Sequence, residues 1–462
     1  MASYQKSMFI FRRDLRLYDN SGLIEACRLS KNVIPCFIFD PRQIKDHPYR
    51  SLPALQFMCG SLIDLSNQIN HNNGELHVYY GNPTDCIVKL IKEENIEAIF
   101  VNRDYTPFSI QRDRDIEKIC KIYRIAFHQL SDLLLLEPEN ALKSDGKPYT
   151  VFTPFHNNAQ KFFVPRPRRL NSPNFLPIKS EQSIEVICSK IELESGLRFS
   201  IPAGRKTALK ILSQLEKYTD YNDTRDYPSK NGTTLLSAHH KFGTCSIREV
   251  YHRIAETLGD THPLLRQLYW RDFFTHIGYH FPHVFSGSFR KIYDEIKWDN
   301  NTEYFQLWSE GKTGFPIVDA GMRELNESGY MHNRVRMIVS SFLVKDLRVD
   351  WRWGERYFAQ HLVDYDPCVN NGNWQWASST GCDTQPYFRI FNPWLQQKKF
   401  DNSCIYIHQW IPELRQYEPK IIHNWLNENA KSSYPAPIID HQKQSMLTKL
   451  IFKKVMTKSE RE

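Results

Sequence analysis

The sequence predicts two parts of different fold class: an α/β N-terminal domain built on a parallel, Rossmann-like sheet, and a larger all-α C-terminal domain. Three observations support this prediction. The chain has 462 residues, which exceeds the ~250–300 residues at which a single hydrophobic core stops growing. Before about residue 133, short apolar runs alternate with amphipathic stretches of helical length. After about residue 204, apolar residues recur at helical spacing and no convincing strand alternation is present.

The α/β domain is expected at residues 1–133. Four apolar runs predict its strands, and they lie at 8–11, 33–39, 76–80 and 98–101. Two amphipathic stretches, 51–69 and 85–94, lie between consecutive runs and predict helices. Because parallel strands need crossover connections of this length, the alternation indicates βαβ units.

Residues 134–203 are expected to connect the two domains. No long periodic stretch occurs there, and proline is poorly tolerated inside helices. The connector's eight prolines are Pro138, Pro148, Pro154, Pro165, Pro167, Pro173, Pro177 and Pro202.

Residues 204–440 are expected to form the helical domain. Periodic apolar positions predict helices at 208–215, 246–257, 317–325 and 336–347. The tail, 441–462, is rich in lysine and fits one basic amphipathic helix, although a solvated terminal helix is the preferred interpretation.

Composition limits the classes of function. The formal net charge of +8 suits a polyanionic partner only where the charge is clustered. The ten cysteines show neither a CxxC pair nor metal-ligand spacing, so they are expected to be reduced, packed thiols. No signal-peptide pattern and no window of 18 apolar residues occur. We therefore expect a monomer that is not secreted and that works in a reducing compartment, cytoplasmic or nuclear, without a membrane span.

Residues 361–393 carry the most informative local composition. They combine acids with Asn370, Asn371, Asn373 and two of the ten tryptophans, all of which follow Leu268. Buried polar groups without partners are costly, so this mixture indicates a polar pocket walled by aromatic rings. An irregular, ordered loop between helices is the alternative.

Four long motifs, in order, carry a family resemblance. They are FRRDLRLYDNSGL (11–23), LYWRDFFTHIGYHFP (268–282), EGKTGFPIVDAGMREL (310–325) and YMHNRVRMIVSSFLVKDLRVDWRWGERYF (330–358). The chain resembles the photolyase/cryptochrome family and is most similar to class I cyclobutane pyrimidine dimer photolyases. The resemblance extends over nearly the whole chain.

The resemblance implies a cofactor and a reaction. In that family the α/β domain holds an antenna chromophore, and the helical domain binds FAD. The implied activity is light-dependent repair of UV-damaged DNA: excited FADH⁻ passes an electron to a flipped-out pyrimidine dimer, the cyclobutane ring splits, and the electron returns. The chain would then be a carbon–carbon lyase whose cofactor carries the chemistry.

The FAD phosphates would be held by hydroxyl groups. Tyr221, Thr233, Thr234 and Ser237 match the family's phosphate-binding positions and supply donors where no Walker lysine is present. A cluster of N-capping hydroxyls before a helix is the alternative.

Other family positions imply contacts with the flavin. Arg336 and Asp364 would be expensive to bury unless each satisfied the other. Asn370 is expected near ring atom N5, where an amide adapts to a change of protonation. Further residues that the resemblance places in the flavin site are Gln267, Arg271, Asn333 and Asp366.

Five tryptophans match functional positions of the family. Trp298, Trp351 and Trp374 match an electron-hopping chain that runs from the surface to the flavin, although such rings also pack helices. Trp270 and Trp376 match the pair that lines the lesion cavity, where flipped bases stack on aromatic faces.

The DNA-binding face is expected around that cavity. Arg334 and Arg389 are the favoured phosphate contacts. Lys398 and Lys399 also flank the cavity in sequence, but a solvated basic run is their alternative interpretation.

The chain departs from the dimer-photolyase pattern at the lesion. Gln267 replaces a glutamate and cannot titrate, and a glutamine here is more familiar from (6-4) photolyases and animal cryptochromes. Asn333 and Met337, however, match dimer repair rather than the two histidines of (6-4) enzymes. Leu264 and Tyr330 stand where some members carry tryptophans that flank the cavity.

The antenna site is expected after the fourth strand. Asp104 follows that strand, where ligands of open α/β sheets commonly bind, and its carboxylate can accept a hydrogen bond from a deazaflavin. A folate, no antenna at all, or a simple strand-end turn are the alternatives.

Two other functions compete with dimer repair. A cryptochrome, a flavin photoreceptor that signals to a protein partner, often has a long C-terminal extension, whereas only a short tail follows Asp440. A flavoprotein oxidoreductase would want a nicotinamide site, and no GxGxxG motif opens a helix.

Overall fold

The computed structural model describes residues 2–45, 47–176, 183–193, 201–384, 386–428 and 433–459. Parts of the predicted connector (177–182 and 194–200) and the last three residues of the predicted tail (460–462) lie outside this description. The α/β prediction is confirmed by a parallel five-stranded sheet, ordered β3-β2-β1-β4-β5. Its strands are β1 (Tyr4–Phe11), β2 (Ser30–Phe39), β3 (His77–Tyr80), β4 (Ala98–Asn102) and β5 (Ala126–Leu130).

Strand alternation explains why the sheet is covered on both faces. Along β1, Phe9 and Phe11 belong to one buried cluster, whereas Met8 and Ile10 belong to another. Successive side chains point to opposite faces, so one apolar strand supplies both cores. The helices of this part are α1 (Ser21–Leu29), α2 (Pro41–Ile44), α3 (Leu52–Asn70), α4 (Pro83–Glu94) and α5 (Pro107–Tyr123).

Polar caps fix where these helices begin. Asn20, Ser51, Asn82 and Thr106 each accept a hydrogen bond from a backbone N–H in the first turn of α1, α3, α4 and α5. Such caps satisfy donors that have no partner within the helix. The strand order changes direction between β1 and β4, and a crevice opens at their carboxyl ends.

The connector contains helices that the sequence did not predict. They are α6 (Phe152–Ala159) and α7 (Ile184–Leu193). Phe152, Phe155 and Ala159 are the buried side of α6, but eight residues show barely two helical turns of periodicity, too few to recognise. The connector also extends the sheet by one bridge, between Phe175 and Val33.

The C-terminal part is helical, as expected. Its α-helices are α8 (Arg205–Leu212), α9 (Tyr221–Thr224), α10 (Ser237–Phe242), α11 (Ile247–Leu258), α12 (Pro263–His280), α13 (Thr302–Ser309), α14 (Pro316–Ser328), α15 (Asn333–Ser341), α16 (Trp351–His361), α17 (Pro367–Ser378), α18 (Pro393–Phe400), α19 (Ile405–Trp410), α20 (Pro419–His423), α21 (Trp425–Glu428) and α22 (His441–Ser459). A π-helical turn, Phe342–Asp346, continues α15. Short 3₁₀ turns lie at Leu215–Tyr218, Pro282–Phe285, Lys291–Glu295 and Pro412–Leu414.

Helix α22 is docked, so the preferred interpretation of a solvated terminal helix is wrong. Phe452 is fully buried, and its ring lies 3.9 Å from the Nζ atom of Lys345 and stacks on Tyr387 at 5.6 Å. Buried Lys345 also donates hydrogen bonds to the carbonyl of Ser378 (3.1 Å) and the hydroxyl of Ser379 (3.0 Å). The apolar residues of α22 are separated by many lysines, so their spacing was too weak a pattern to predict which face of the helix is buried.

Candidate active site

A cavity of about 340 Å³ lies between α11, α12, α15 and α17. This volume falls within the usual range of small-molecule sites. It brings together fourteen of the residues proposed from the sequence: Tyr221, Thr233, Thr234, Ser237, Gln267, Arg271, Asn333, Arg336, Met337, Asp364, Asp366, Asn370, Trp374 and Trp376. The stretch 361–393 thus contributes a wall of the cavity through helix α17, rather than an irregular loop.

Hydroxyl groups mark one end of the cavity. Thr233, Thr234 and Ser237 lie on the loop and first turn that open α10. The N-cap of α10 is Leu236, and no side chain caps the helix. The alternative of N-capping hydroxyls is therefore not realised here, and these donors face a space that suits a phosphate group.

A bidentate ion pair lies deeper in the cavity. Arg336 donates to both carboxylate oxygens of Asp364, at 3.1 and 2.9 Å, and its Nε donates to the carbonyl of Met331 at 2.7 Å. The Asp364 side chain is only 4% exposed. Each charge satisfies the other, which is the condition under which such a pair can be buried.

Asn370 is held in one orientation. Its Nδ2 donates to the backbone carbonyl (3.0 Å) and to Oε1 (2.9 Å) of Glu355. Because a backbone carbonyl can only accept, the amide nitrogen must point there, and the amide oxygen is left for the cavity. Burial raises the pKa of Glu355 to about 7. The expected adaptable amide is therefore anchored on its nitrogen side.

Asp366 joins the cavity to the N-terminal domain. Its Oδ1 accepts from the N–H groups of Cys368 and Val369 and caps α17, while Oδ2 pairs with Arg13. Arg13 also donates to Asp104 at 3.2 Å. Burial raises the pKa of Asp366, but the attraction of Arg13 and of Lys241 outweighs it and holds this pKa well below its usual range.

A second cavity, of about 540 Å³, opens at the carboxyl ends of β1 and β2 beside the switch in strand order. Asp104 lines it, as do Arg13, Phe108 and Arg112. The Asp104 carboxylate accepts from Arg13 and from the hydroxyl of Ser109 (3.0 Å). Two side chains, Lys241 and Tyr365, border both cavities.

Family models match both parts of the chain. Residues 7–173 match the family model described as DNA photolyase, and residues 264–454 match the model described as FAD binding domain of DNA photolyase. A deoxyribodipyrimidine photo-lyase from Synechococcus is 35% identical over 96% of this chain and 96% of the relative. One from Escherichia coli is 36% identical over 95% and 96%, respectively. The chain belongs to the DNA photolyase family.

Solved structures agree with this photolyase assignment. An archaeal photolyase from Sulfolobus tokodaii, described with two FAD molecules and a novel light-harvesting cofactor, superposes with a TM-score of 0.89 at 43% identity, over 97% of this chain and all of the other. A cryptochrome from Synechocystis superposes at 0.88 with 26% identity, over 98% of this chain and 99% of the other. The photolyase fold is thus shared across enzyme and cryptochrome relatives.

Several expected photolyase residues lie outside the main cavity. Trp270 stacks face to face on Phe152, with ring centroids 3.5 Å apart, and does not border the cavity. Trp351 is buried and Trp298 is half-buried, its ring edge against Phe452. Trp374 borders the cavity.

The proposed DNA contacts differ in their surroundings. Arg334 pairs with Asp226 at 2.8 Å, and its guanidinium lies 4.4 Å from the ring of Phe400. Arg389 is exposed on the segment after α17, and Lys398 and Lys399 are exposed on α18. Part of the Arg334 charge is thus already compensated, whereas the other three cations face solvent.

Sequence reasoning missed residues whose role depends on long-range contacts. Arg13 and Glu355 lie within two of the motifs that carry the family resemblance and Lys241 lies outside all four, but the sequence assigned none of them a role. Burial lowers the pKa of Lys241 to about 8. The doubled arginine at the end of β1 was the only available signal, since it lies next to the expected ligand-binding edge of the sheet.

None of the helices in the described ranges has the length and hydropathy that crossing a bilayer requires. None of the ten cysteines, all of which lie within the described ranges, forms a disulfide, and eight of them are buried, as expected for packed thiols.

Proposed function

We propose that this protein is a light-driven lyase that splits cyclobutane pyrimidine dimers in DNA. The observation that carries the proposal is the convergence, on one cavity, of fourteen residues drawn from segments 221–237, 267–271, 333–337 and 364–376. Full-length relatives that bear the name deoxyribodipyrimidine photo-lyase support it.

The chemistry of the cavity lining fits FAD. Thr233, Thr234 and Ser237 offer hydroxyl donors to a diphosphate, and the Arg336–Asp364 pair offers both hydrogen-bond donors and acceptors to a polar ring edge. The amide oxygen of Asn370 would be available to accept a hydrogen bond from a protonated ring nitrogen, since the amide nitrogen is bound to Glu355. When bound and reduced, FAD supplies a photoexcited electron donor, and the protein supplies its position and electrostatic surroundings.

The lesion would be bound by the residues at the mouth of the cavity. Gln267 and Asn333 carry amide groups that hydrogen-bond pyrimidine carbonyl and N–H groups. Met337 would pack on the dimer and Trp376 would stack against it, whereas Trp270 lies outside the cavity and is stacked on Phe152. Arg334 and Arg389 would neutralise flanking phosphates and need no base code, since damage arises in any sequence.

The three tryptophans would reduce the cofactor in light. Trp374 borders the cavity, Trp351 is buried, and Trp298 lies nearest to the surface. Trp351 and Trp374 are equally buried and only Trp298 is partly exposed, so the support for a path from surface to cavity is that its two ends lie at Trp298 and Trp374.

The test is a repair assay with purified, photoreduced protein. Light-dependent loss of cyclobutane dimers from UV-damaged oligonucleotides, with none in darkness, is the expected result. Unchanged dimers with a light-induced spectral change would indicate a cryptochrome-type receptor. Loss of (6-4) products instead would show that Gln267 outweighs Asn333 and Met337 in setting the substrate.

We further propose that the 540 Å³ cavity holds the antenna. Deazaflavin and folate are the expected chromophores, and a flavin joins them because the Sulfolobus tokodaii photolyase is described with two FAD molecules. Aromatic and cationic side chains, Phe108 and Arg112 among them, suit a planar anionic ring. Chromatography of the pigments released on denaturation, with flavin counted per chain, distinguishes the three.

A further inference from the structure

The connector, residues 134–203, contains a cluster of positive charge, which is the condition under which the net charge of +8 suits a polyanionic partner. Between Asp145 and Glu181 the chain has no acidic residue, although 52 of 462 residues are acidic, so about four would be expected in these 35 positions. The same segment contains six cations: Lys147, Lys161, Arg166, Arg168, Arg169 and Lys179. Charge of one sign in one segment is the electrostatic signature of a polyanion-binding surface.

The backbone of residues 160–169, here called the connector strip, is fixed to the folded body. The ring of His252 donates to the carbonyl of Val164 or Pro165, both 3.1 Å away. Asp19 accepts from the N–H of Arg168 at 2.9 Å, and the Asp19 N–H donates back to the Arg168 carbonyl at 2.8 Å. The strip is therefore held at its middle, through Val164 or Pro165, and near its C-terminal end, through Arg168.

The side chains that the strip presents are aromatic and cationic. Phe163 is 81% exposed, the largest value among the exposed large hydrophobic residues, and Phe162 is 41% exposed. Lys161 and Arg169 are exposed and form no ion pair within the described residues. Exposed rings set among unpaired cations are typical of nucleic-acid surfaces, where rings contact bases or sugars and cations contact phosphates.

The strip lies within reach of DNA that occupies the proposed lesion site. At the start of α6, Phe152 stacks on Trp270, and the guanidinium of the exposed Arg266 lies 4.9 Å from the centroid of the Phe152 ring. Arg266 directly precedes Gln267 of the cavity. Helix α6 has eight residues and spans roughly 12 Å to the start of the strip. That length corresponds to roughly three or four nucleotides along a strand.

We propose that the connector strip, together with Arg266, binds the DNA backbone several nucleotides away from the lesion. This inference rests on the proposed repair function and extends its DNA contact beyond the cavity rim. The outer face of α6 exposes Thr153, Pro154, Asn157 and Gln160 and carries no carboxylate of its own. Two carboxylates adjoin this path, and both have partners: Asp383 accepts from the N–H of Phe152 at 3.0 Å, and Glu256 pairs with Arg166 of the strip.

The test compares two lengths of DNA on the flavin-loaded, full-length protein. One substrate is a duplex of roughly 30 base pairs with a central dimer, and the other is a single strand of roughly six nucleotides that ends before the strip. Dissociation constants are measured by fluorescence anisotropy from 50 to 200 mM salt. The test variant is Lys161→Ala with Arg169→Ala. Its control, Lys118→Ala with Lys121→Ala, removes two equally exposed charges from α5.

The strip variant should bind the long duplex more weakly and with a shallower salt dependence. Loss of two phosphate contacts should make the slope of log binding constant against log salt concentration shallower by about 1.8. The ratio of the variant's dissociation constant to that of the wild type should therefore fall roughly 12-fold between 50 and 200 mM salt. Its binding to the short strand, and all binding by the control, should match the wild type. Phe163→Ser should weaken long-duplex binding several-fold without changing the slope, because a ring contact releases no counterions.

Three outcomes overturn the inference. These are an unchanged slope on the long duplex, an equal loss on both lengths, which would place the effect at the cavity, and an equal loss in the α5 control. A wild-type protein that binds damaged and undamaged DNA equally would instead count against the proposed repair function, whatever the strip does.

Discussion

Arg13→Gln should destabilise the protein strongly, because Arg13 is the cation that joins two buried carboxylates from different parts of the chain. Its guanidinium pairs with Asp366, which begins α17, and donates to Asp104 at 3.2 Å. All three side chains are no more than 15% exposed. Breaking a buried ion pair by removing one partner typically costs about 3–5 kcal/mol, since the other charge stays buried without compensation.

The loss should depend on pH, and its sign follows from Asp366. Its pKa in the folded protein lies below the usual 3.8, so the pair contributes stability that is present above pH ~4 and is lost as pH falls. Without Arg13, Asp366 would take up a proton at higher pH. The difference between variant and wild type should therefore be largest near pH 7 and should shrink toward pH 4.

Thermal unfolding of the flavin-loaded protein, followed by circular dichroism at several pH values, measures this difference. The control is Arg28→Gln, which removes an exposed arginine paired with Glu25 and should change stability by less than ~1 kcal/mol. A melting temperature for Arg13→Gln within 1 °C of the control at pH 7, or a difference that does not shrink at low pH, would refute the reasoning.

Three further predictions follow. Trp374→Phe should abolish light-driven reduction of the oxidised protein but leave repair by chemically reduced protein intact. The control is Trp308→Phe, whose ring contacts Trp374, and it should change neither activity. Equal photoreduction in both variants would count against the proposed path. Gln267→Glu should bind dimer-containing oligonucleotide roughly fivefold more tightly than the wild type above pH 5, because a charged acceptor forms a hydrogen bond about 1 kcal/mol stronger. A dissociation constant of this variant that does not change with pH would argue against contact between residue 267 and the lesion. Burial lowers the pKa of Lys345 from 10.5 to about 7. Between pH 7 and 9 the folded protein therefore binds fewer protons than the unfolded chain, and the wild type should gain about 2 kcal/mol of stability relative to Lys345→Met. Parallel curves of stability against pH for the two proteins would contradict this.

Much of the fold could be predicted because local patterns and tertiary structure agree. The run 98–101 became β4 (Ala98–Asn102), and the stretch 51–69 became α3 (Leu52–Asn70). The predicted helix starts at 51, 246 and 317 lie within one residue of the observed starts, whereas those at 208 and 336 lie three residues late, because apolar periodicity does not mark the first turn. By contrast, α6 has too few turns to reveal its period, and the docked face of α22 rests on one buried ring.

Some residues of the candidate site could also be predicted from the sequence, and others could not. Residues within contiguous motifs, such as Asn333 and Met337 on α15, were found because the family pattern is local. Lys241 and Glu355 were not, because each gains its role only when distant segments meet across the cavity wall. Trp270 matches the family motif, yet its stacking on Phe152 depends on a connector helix that the sequence did not reveal.

The packing of Phe452 over Lys345 has a consequence for biosynthesis. Thr448 of α22 bonds to the carbonyl of Lys345, a residue made 103 positions earlier. At ordinary translation speed the ribosome needs roughly 5–20 s to cover that distance. Until α22 has been made, the ring of Phe452 cannot cover the ammonium group of Lys345 or pack against Trp298 and Tyr387, so this part of the core is completed only at the end of synthesis.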